Sequence, residues 1–85
     1  MQVYEKALYK WGRNAQIIKA IEEMSELTKE LAKLINKQGD LGHIAEEIAD
    51  TKIMIEQLEM ILNIKGMVEK YRQEKIDRLE RLVNE

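Results

Sequence analysis

AQIIKAIEEMSELTKELAKLINK (residues 15–37), QGDLG (38–42) and HIAEEIADTKIMIEQLEMIL (43–62) decide the fold. In the first segment Ile17, Ile21, Met24, Leu27, Leu31, Leu34 and Ile35 recur at the three- and four-residue spacing of one helix face. The last segment repeats this through Ile44, Ile48, Ile55, Leu58 and Leu62. Between them Gly39 and Gly42 break the pattern, and Asp40 can cap the second helix. Two antiparallel helices joined by a short turn are expected. Outward from this pair, Gly12 ends a short N-terminal helix, with Asn14 as the expected cap of the next. Residues 63–66 form another break, and residues 67–83 a last helix. The expected fold is an all-α antiparallel bundle of three main helices plus a short N-terminal one. Residues 1–85 form one domain, since so short a chain has no room for a second. Its core is thin, so self-association is expected to complete it.

Composition excludes several function classes. The chain has 85 residues, 14 of them Lys or Arg and 16 Asp or Glu, for a formal net charge of −2. A general nucleic-acid binder would need a basic excess. Cysteine is absent and His43 is the single histidine, which removes disulfides, thiolate nucleophiles and zinc-thiolate sites. Apolar runs are only a few residues long, so no membrane span is expected. Glu5, Lys6 and Lys10 interrupt the N-terminal residues, and a cytoplasmic protein is expected rather than a secreted one. Residues 1–14 are net +2, residues 15–62 net −5 and residues 63–85 net +1. An acidic middle between basic ends suits a cation with an anion held beside it.

The informative residues are charges placed where the helical period calls for apolar ones. Glu47 falls inside the apolar arc of its helix, between Met54 and Leu58, and Asp50 lies at the edge. Glu23 lies at the edge of the preceding helix's arc, with Glu26 one turn on; Glu47 and Asp50 share that i, i+3 relation. An isolated pair of this kind in a Glu- and Lys-rich helix is ordinarily a solvated face. Two pairs aimed at one helix–helix interface are different, because like charges held together there require a cation. Oxygen-only donors favour Mg²⁺ or Mn²⁺ over zinc. A di-iron bundle would need two Glu-x-x-His motifs, which one histidine cannot supply. In the last helix Lys75 interrupts the apolar arc, with Arg72 among its apolar neighbours and Arg78 just outside it. Lys75 either snorkels its stem to solvent or, with Arg78, holds phosphate oxygens.

The clusters Glu22-Glu23-Met24-Ser25-Glu26 and Glu46-Glu47-Ile48-Ala49-Asp50 form an E-E-x-x-E … E-E-x-x-D arrangement on consecutive helices. It resembles that of the MazG-type all-α nucleoside triphosphate pyrophosphohydrolases. Trp11-Gly12 with Gln16, the run from Ala49-Asp50 to Gln57-Leu58, and Lys75-Ile76-Asp77-Arg78 are similar to the flanking signals of small, phage-type members. The resemblance implies a Mg²⁺-dependent hydrolase that converts a nucleoside triphosphate to the monophosphate and pyrophosphate, as a homodimer or homotetramer. It implies Glu23, Glu26, Glu47 and Asp50 as metal ligands, Lys75 and Arg78 as phosphate contacts, and Trp11 and Gln16 near the base. Trp11 could equally be a packing anchor for the first helix. Glu22 and Glu46 point more outward and either orient water, as catalytic residues, or face solvent. Phosphoribosyl-ATP pyrophosphohydrolase is the neighbouring alternative, usually with a more aromatic, histidine-bearing run where this chain has Thr51-Lys52-Ile53-Met54. A non-catalytic helical oligomerisation module is the alternative of another class. No Gly-rich phosphate loop and no Ser–His or Cys constellation is present.

Overall fold

The structure is a computed structural model that describes residues 2–85. It is all-helical: α1 (Val3–Trp11), α2 (Arg13–Ile35), α3 (Leu41–Ile61) and α4 (Lys65–Val83). No described helix is long and apolar enough to cross a membrane.

Local chemistry sets the boundaries. Gly12 separates α1 from α2 at φ +87° and ψ 163°, a conformation open in practice only to glycine. Asn14, the expected cap, lies inside α2; the cap position is Gly12, which has no side chain to offer. Asp40 does cap α3: its Oδ1 accepts from the backbone N–H of Gly42 at 2.7 Å and of His43 at 3.4 Å. Both long-helix C-termini close in the same way. Gln38 N–H donates to the Lys33 carbonyl at 2.9 Å, and Ile64 N–H to the Glu59 carbonyl at 3.0 Å. The left-handed residues that make these closures are Lys37 (φ 60°) and Asn63 (φ 54°), not the glycines of the turn. Gly39 serves close approach instead, since a Cβ there would lie 2.8 Å from the Leu34 Cα.

α2 and α3 form the main contact and run antiparallel. Glu23 of α2 meets Thr51 of α3, whereas Gln16 meets Met54 and Gln57, so one number falls as the other rises. The seam is more polar than the periodicity predicts. Buried positions are Gln16, Ala20 and Glu30 on α2, and Ile44, Thr51, Met54 and Gln57 on α3. Gln16, Glu23 and Glu30 follow one another at heptad spacing on α2. Of the expected centre of the α3 arc, Ile44, Thr51, Ile55 and Leu62, the first two are buried, whereas Ile55 is 44% exposed and Leu62 is open as well. The apolar arc of α2 is about 140° wide, more than one partner helix covers. The helices therefore meet along one edge of their arcs and leave Ile21, Met24, Leu31, Ile48 and Ile55 largely uncovered.

α1 packs on α2 and α3, and Tyr4 Oη donates to Glu56 of α3. α4 touches only the end of α3 and is exposed or half-buried along its length. The result is a slab of 45 × 35 × 18 Å.

Two glycine substitutions should separate strain from propensity. Gly12→Ala is expected to lower stability by about 1–3 kcal/mol in urea denaturation, because alanine cannot adopt that backbone without strain. Gly66→Ala, helical and with nothing within 4 Å of the new Cβ, should leave stability unchanged or raise it.

Candidate functional site

Carboxylates converge where α2 and α3 cross. Glu23, Glu47 and Asp50 each place an oxygen within 4.8 Å of the other two. Helical spacing accounts for this: Glu47 and Asp50 are one turn apart on α3, and Glu23 stands opposite on α2. Thr51, the neighbour of Asp50, donates its hydroxyl to the Glu23 carbonyl at 3.5 Å and ties the two backbones together beside the acids.

The three acids differ electrostatically. Glu23 is nearly covered, its side chain 13% exposed, and accepts from Lys19 Nζ at 3.0 Å. That ammonium holds the Glu23 carboxyl below its ordinary value; burial opposes the shift, and hydrogen bonding with Glu47 and Asp50 adds to it. Lys19 is raised in turn, chiefly by Glu23. Glu47 moves the other way. Desolvation raises its carboxyl above the ordinary 4.5, followed by a hydrogen bond shared with Glu23 and the charges of Glu23, Asp50 and Glu26. Among the described residues, no donor reaches its buried Oε2. A buried carboxylate oxygen without a donor is costly. Two things can relieve it: a proton shared with Glu23, or a cation.

The structure separates the expected site residues. Glu23, Glu47 and Asp50 come together. Glu26 stands outside the triad on the exposed side of α2, although its charge still bears on Glu47. Glu22 and Glu46 are exposed beside Glu23 and Glu47. Trp11 and Gln16 do share a pocket of about 350 Å³, lined also by Ala7, Lys19, Met54 and Gln57. Gln16 and Gln57 are buried there, whereas Trp11 is 59% exposed, with Lys10 Nζ 5.3 Å from its ring centre. Lys75 and Arg78 lie elsewhere, along grooves on α4 with Leu79.

Sequence reasoning overlooked Lys19, which pairs with Glu23 and also lines the Trp11 pocket, so it joins the two features. Its signal was available as the i, i+4 spacing to Glu23. Gln57 was noted only as part of the α3 run; no spacing rule marks a glutamine as buried. Comparison with family models gives no match, and neither does comparison with curated proteins or with solved structures.

The raised Glu47 carboxyl makes stability depend on pH. Between the unfolded value and the raised folded value, the folded chain keeps a proton that the unfolded chain has lost. The metal-free protein therefore loses stability as pH rises through that window, and the full penalty stands above it. In metal-free buffer at pH 8, Glu47→Gln should melt higher than wild type, because a neutral amide can donate to its acidic neighbours. The gap should close as pH falls toward 4.5. A variant that is less stable across the whole range would mean that Glu47 has a structural partner.

Proposed function

We propose that this chain is a divalent-cation-dependent hydrolase of nucleoside triphosphates, with Mg²⁺ as the ion and the monophosphate and pyrophosphate as products. The observation that carries the reading is the Glu47 Oε2 atom, buried without a donor in a cluster with Glu23 and Asp50. The donor set fits a hard cation, being all oxygen and anionic, and one oxygen lacks any other partner. Glu23, Glu47 and Asp50 would hold the ion, with Glu26 in reserve at the rim. When bound, such an ion screens phosphate charge and accepts phosphate oxygens.

The other residues have separable tasks. Lys19 stands between the triad and the Trp11 pocket, where a cation can meet the polyphosphate as it leaves the acids. Trp11 offers an open aromatic face to a planar base, and Gln16 offers a carboxamide for its edge. In the proposed reaction a water oxygen bonds to the α-phosphorus. The bond from that phosphorus to the bridging oxygen breaks, and pyrophosphate leaves with the electron pair. Glu22 and Glu46, exposed beside the triad, are the carboxylates able to accept the proton from that water. Lys75 and Arg78 do not reach the triad's cation position in the ion pairs of this chain, where Lys19 is the partner. Their assignment as phosphate contacts depends on a second chain.

A panel of ribo- and deoxynucleoside triphosphates, with product identification by mass, tests the reading. Wild type with Mg²⁺ or Mn²⁺ should release pyrophosphate from at least one nucleotide. Glu47→Ala and Asp50→Asn should each lose more than about a hundredfold, since even indirect partners of a metal carry 10- to 100-fold effects. Inactivity of wild type on every nucleotide, together with an unchanged melting temperature on adding metal, would favour a non-catalytic helical module.

A further inference from the structure

The Trp11 pocket contains two polar side chains that the fold leaves without partners. Gln16 of α2 and Gln57 of α3 are only 6% and 5% exposed, yet both line this cavity of about 350 Å³. Among the described residues, neither carboxamide enters a side-chain hydrogen bond. Unlike Glu47 Oε2, neither has an unpartnered atom sealed inside protein, so both amides open into the cavity. The walls around them are apolar, from Ala7 and Trp11 of α1 to Met54 of α3. Lys19 is the one charged residue of the lining, and it is already paired with Glu23. A buried glutamine costs stability unless its amide is paired, and an apolar side chain of the same size would carry no such cost. Two of them on one cavity point to a ligand that supplies the missing partners.

We infer that Gln16 and Gln57 read the base together, and that they select purine over pyrimidine nucleotides. The inference rests on the nucleotide-hydrolase reading above, to which it adds a substrate class and Gln57 as a specificity-determining residue. The edges of the bases decide it. A carboxamide sets an acceptor and a donor side by side in one plane, so its match is a neighbouring donor and acceptor on a ring. Adenine presents two such couples, its 6-amino group with N1 and the same group with N7. Guanine also presents two, N1–H with O6 and the 2-amino group with N3. Uracil and thymine have a single N–H, and cytosine has one amino group beside one ring acceptor. Each pyrimidine therefore satisfies one carboxamide in full and leaves the other half paired. In a closed site, a polar group left unpaired is what rejects the wrong ligand. The larger purine also covers more of the open Trp11 face.

Trp11 is the single tryptophan of the chain, so quenching of its fluorescence reports a base stacked in the pocket. Titration of the full chain with free nucleosides, which carry no phosphate, tests base reading apart from metal and hydrolysis. Adenosine and guanosine should bind about tenfold more tightly than uridine and cytidine, or better. Purine riboside, which keeps both rings of adenosine without the amino group, should lose that advantage; stacking alone would preserve it. Gln57→Leu should bring adenosine to the pyrimidine level, whereas Gln73→Leu, on the exposed face of α4, should change nothing. In pyrophosphate release, Gln57→Leu should raise KM for a purine triphosphate about tenfold and leave kcat within about twofold. Equal binding of the four nucleosides, or no quenching by any of them, would overturn the inference. So would a purine preference that survives in a helical Gln57→Leu chain; should that variant not fold, purine riboside on wild type decides. Nucleoside discrimination without pyrophosphate release from any triphosphate would overturn the hydrolase reading instead and leave the base reader standing.

Discussion

Crowding of carboxylates at the crossing of α2 and α3 governs much of the rest of the molecule. Glu23, Glu47 and Asp50 are held close by helices that cannot move apart without losing the packing of Ala20, Ile44, Thr51 and Met54. Glu47 contributes the conflict: its Oε2 is buried and meets no donor, and its nearest charged neighbours are acids. Lys19 answers only the Glu23 part of that charge. Packing and electrostatics thus disagree at one place in the chain, and such a disagreement is the usual mark of a functional position.

A polar seam has consequences on both sides of the helix pair. With Gln16, Glu23 and Glu30 at the contact line, α2 turns the richer part of its apolar arc away from α3, and α3 does the same with Ile48 and Ile55. The site side receives α1, whose Trp11 helps to form a pocket reaching Lys19. The other side receives only the loosely attached α4. The acid cluster and the uncovered apolar face are therefore two outcomes of one rotation of the helices about their axes.

Much of the fold was legible from spacing alone. The α2–α3 pair, the break at Gly12, the Asp40 cap and α4 all follow from periodicity and turn residues. Periodicity could not say which edge of a wide apolar arc would be buried, because that depends on the partner helix. Of the four residues expected at the centre of the α3 arc, Ile44 and Thr51 are buried, and Ile55 and Leu62 are open for that reason. The turn takes its left-handed residue from Lys37, while Gly39 lies where a Cβ would clash with Leu34. At the site, the misplaced acids Glu47, Asp50 and Glu23 stood out in the sequence, and the structure brings them together. Glu26 did not join: although it keeps the same i+3 spacing, it lies on the exposed side of α2. Lys19 escaped notice because a lysine four residues from a glutamate is common on any helix surface.

Whether the triad holds a divalent ion is measured most directly by titration calorimetry of Mg²⁺ and Mn²⁺ into the metal-free protein. Two buffers of different ionisation enthalpy, at a pH near the raised Glu47 value, allow protons to be counted. The account predicts saturable binding that displaces a proton from Glu47, so the apparent enthalpy differs between buffers, and Glu47→Gln removes that difference. The absence of saturable binding, or binding of equal strength in wild type and Glu47→Gln with no proton released, would contradict it.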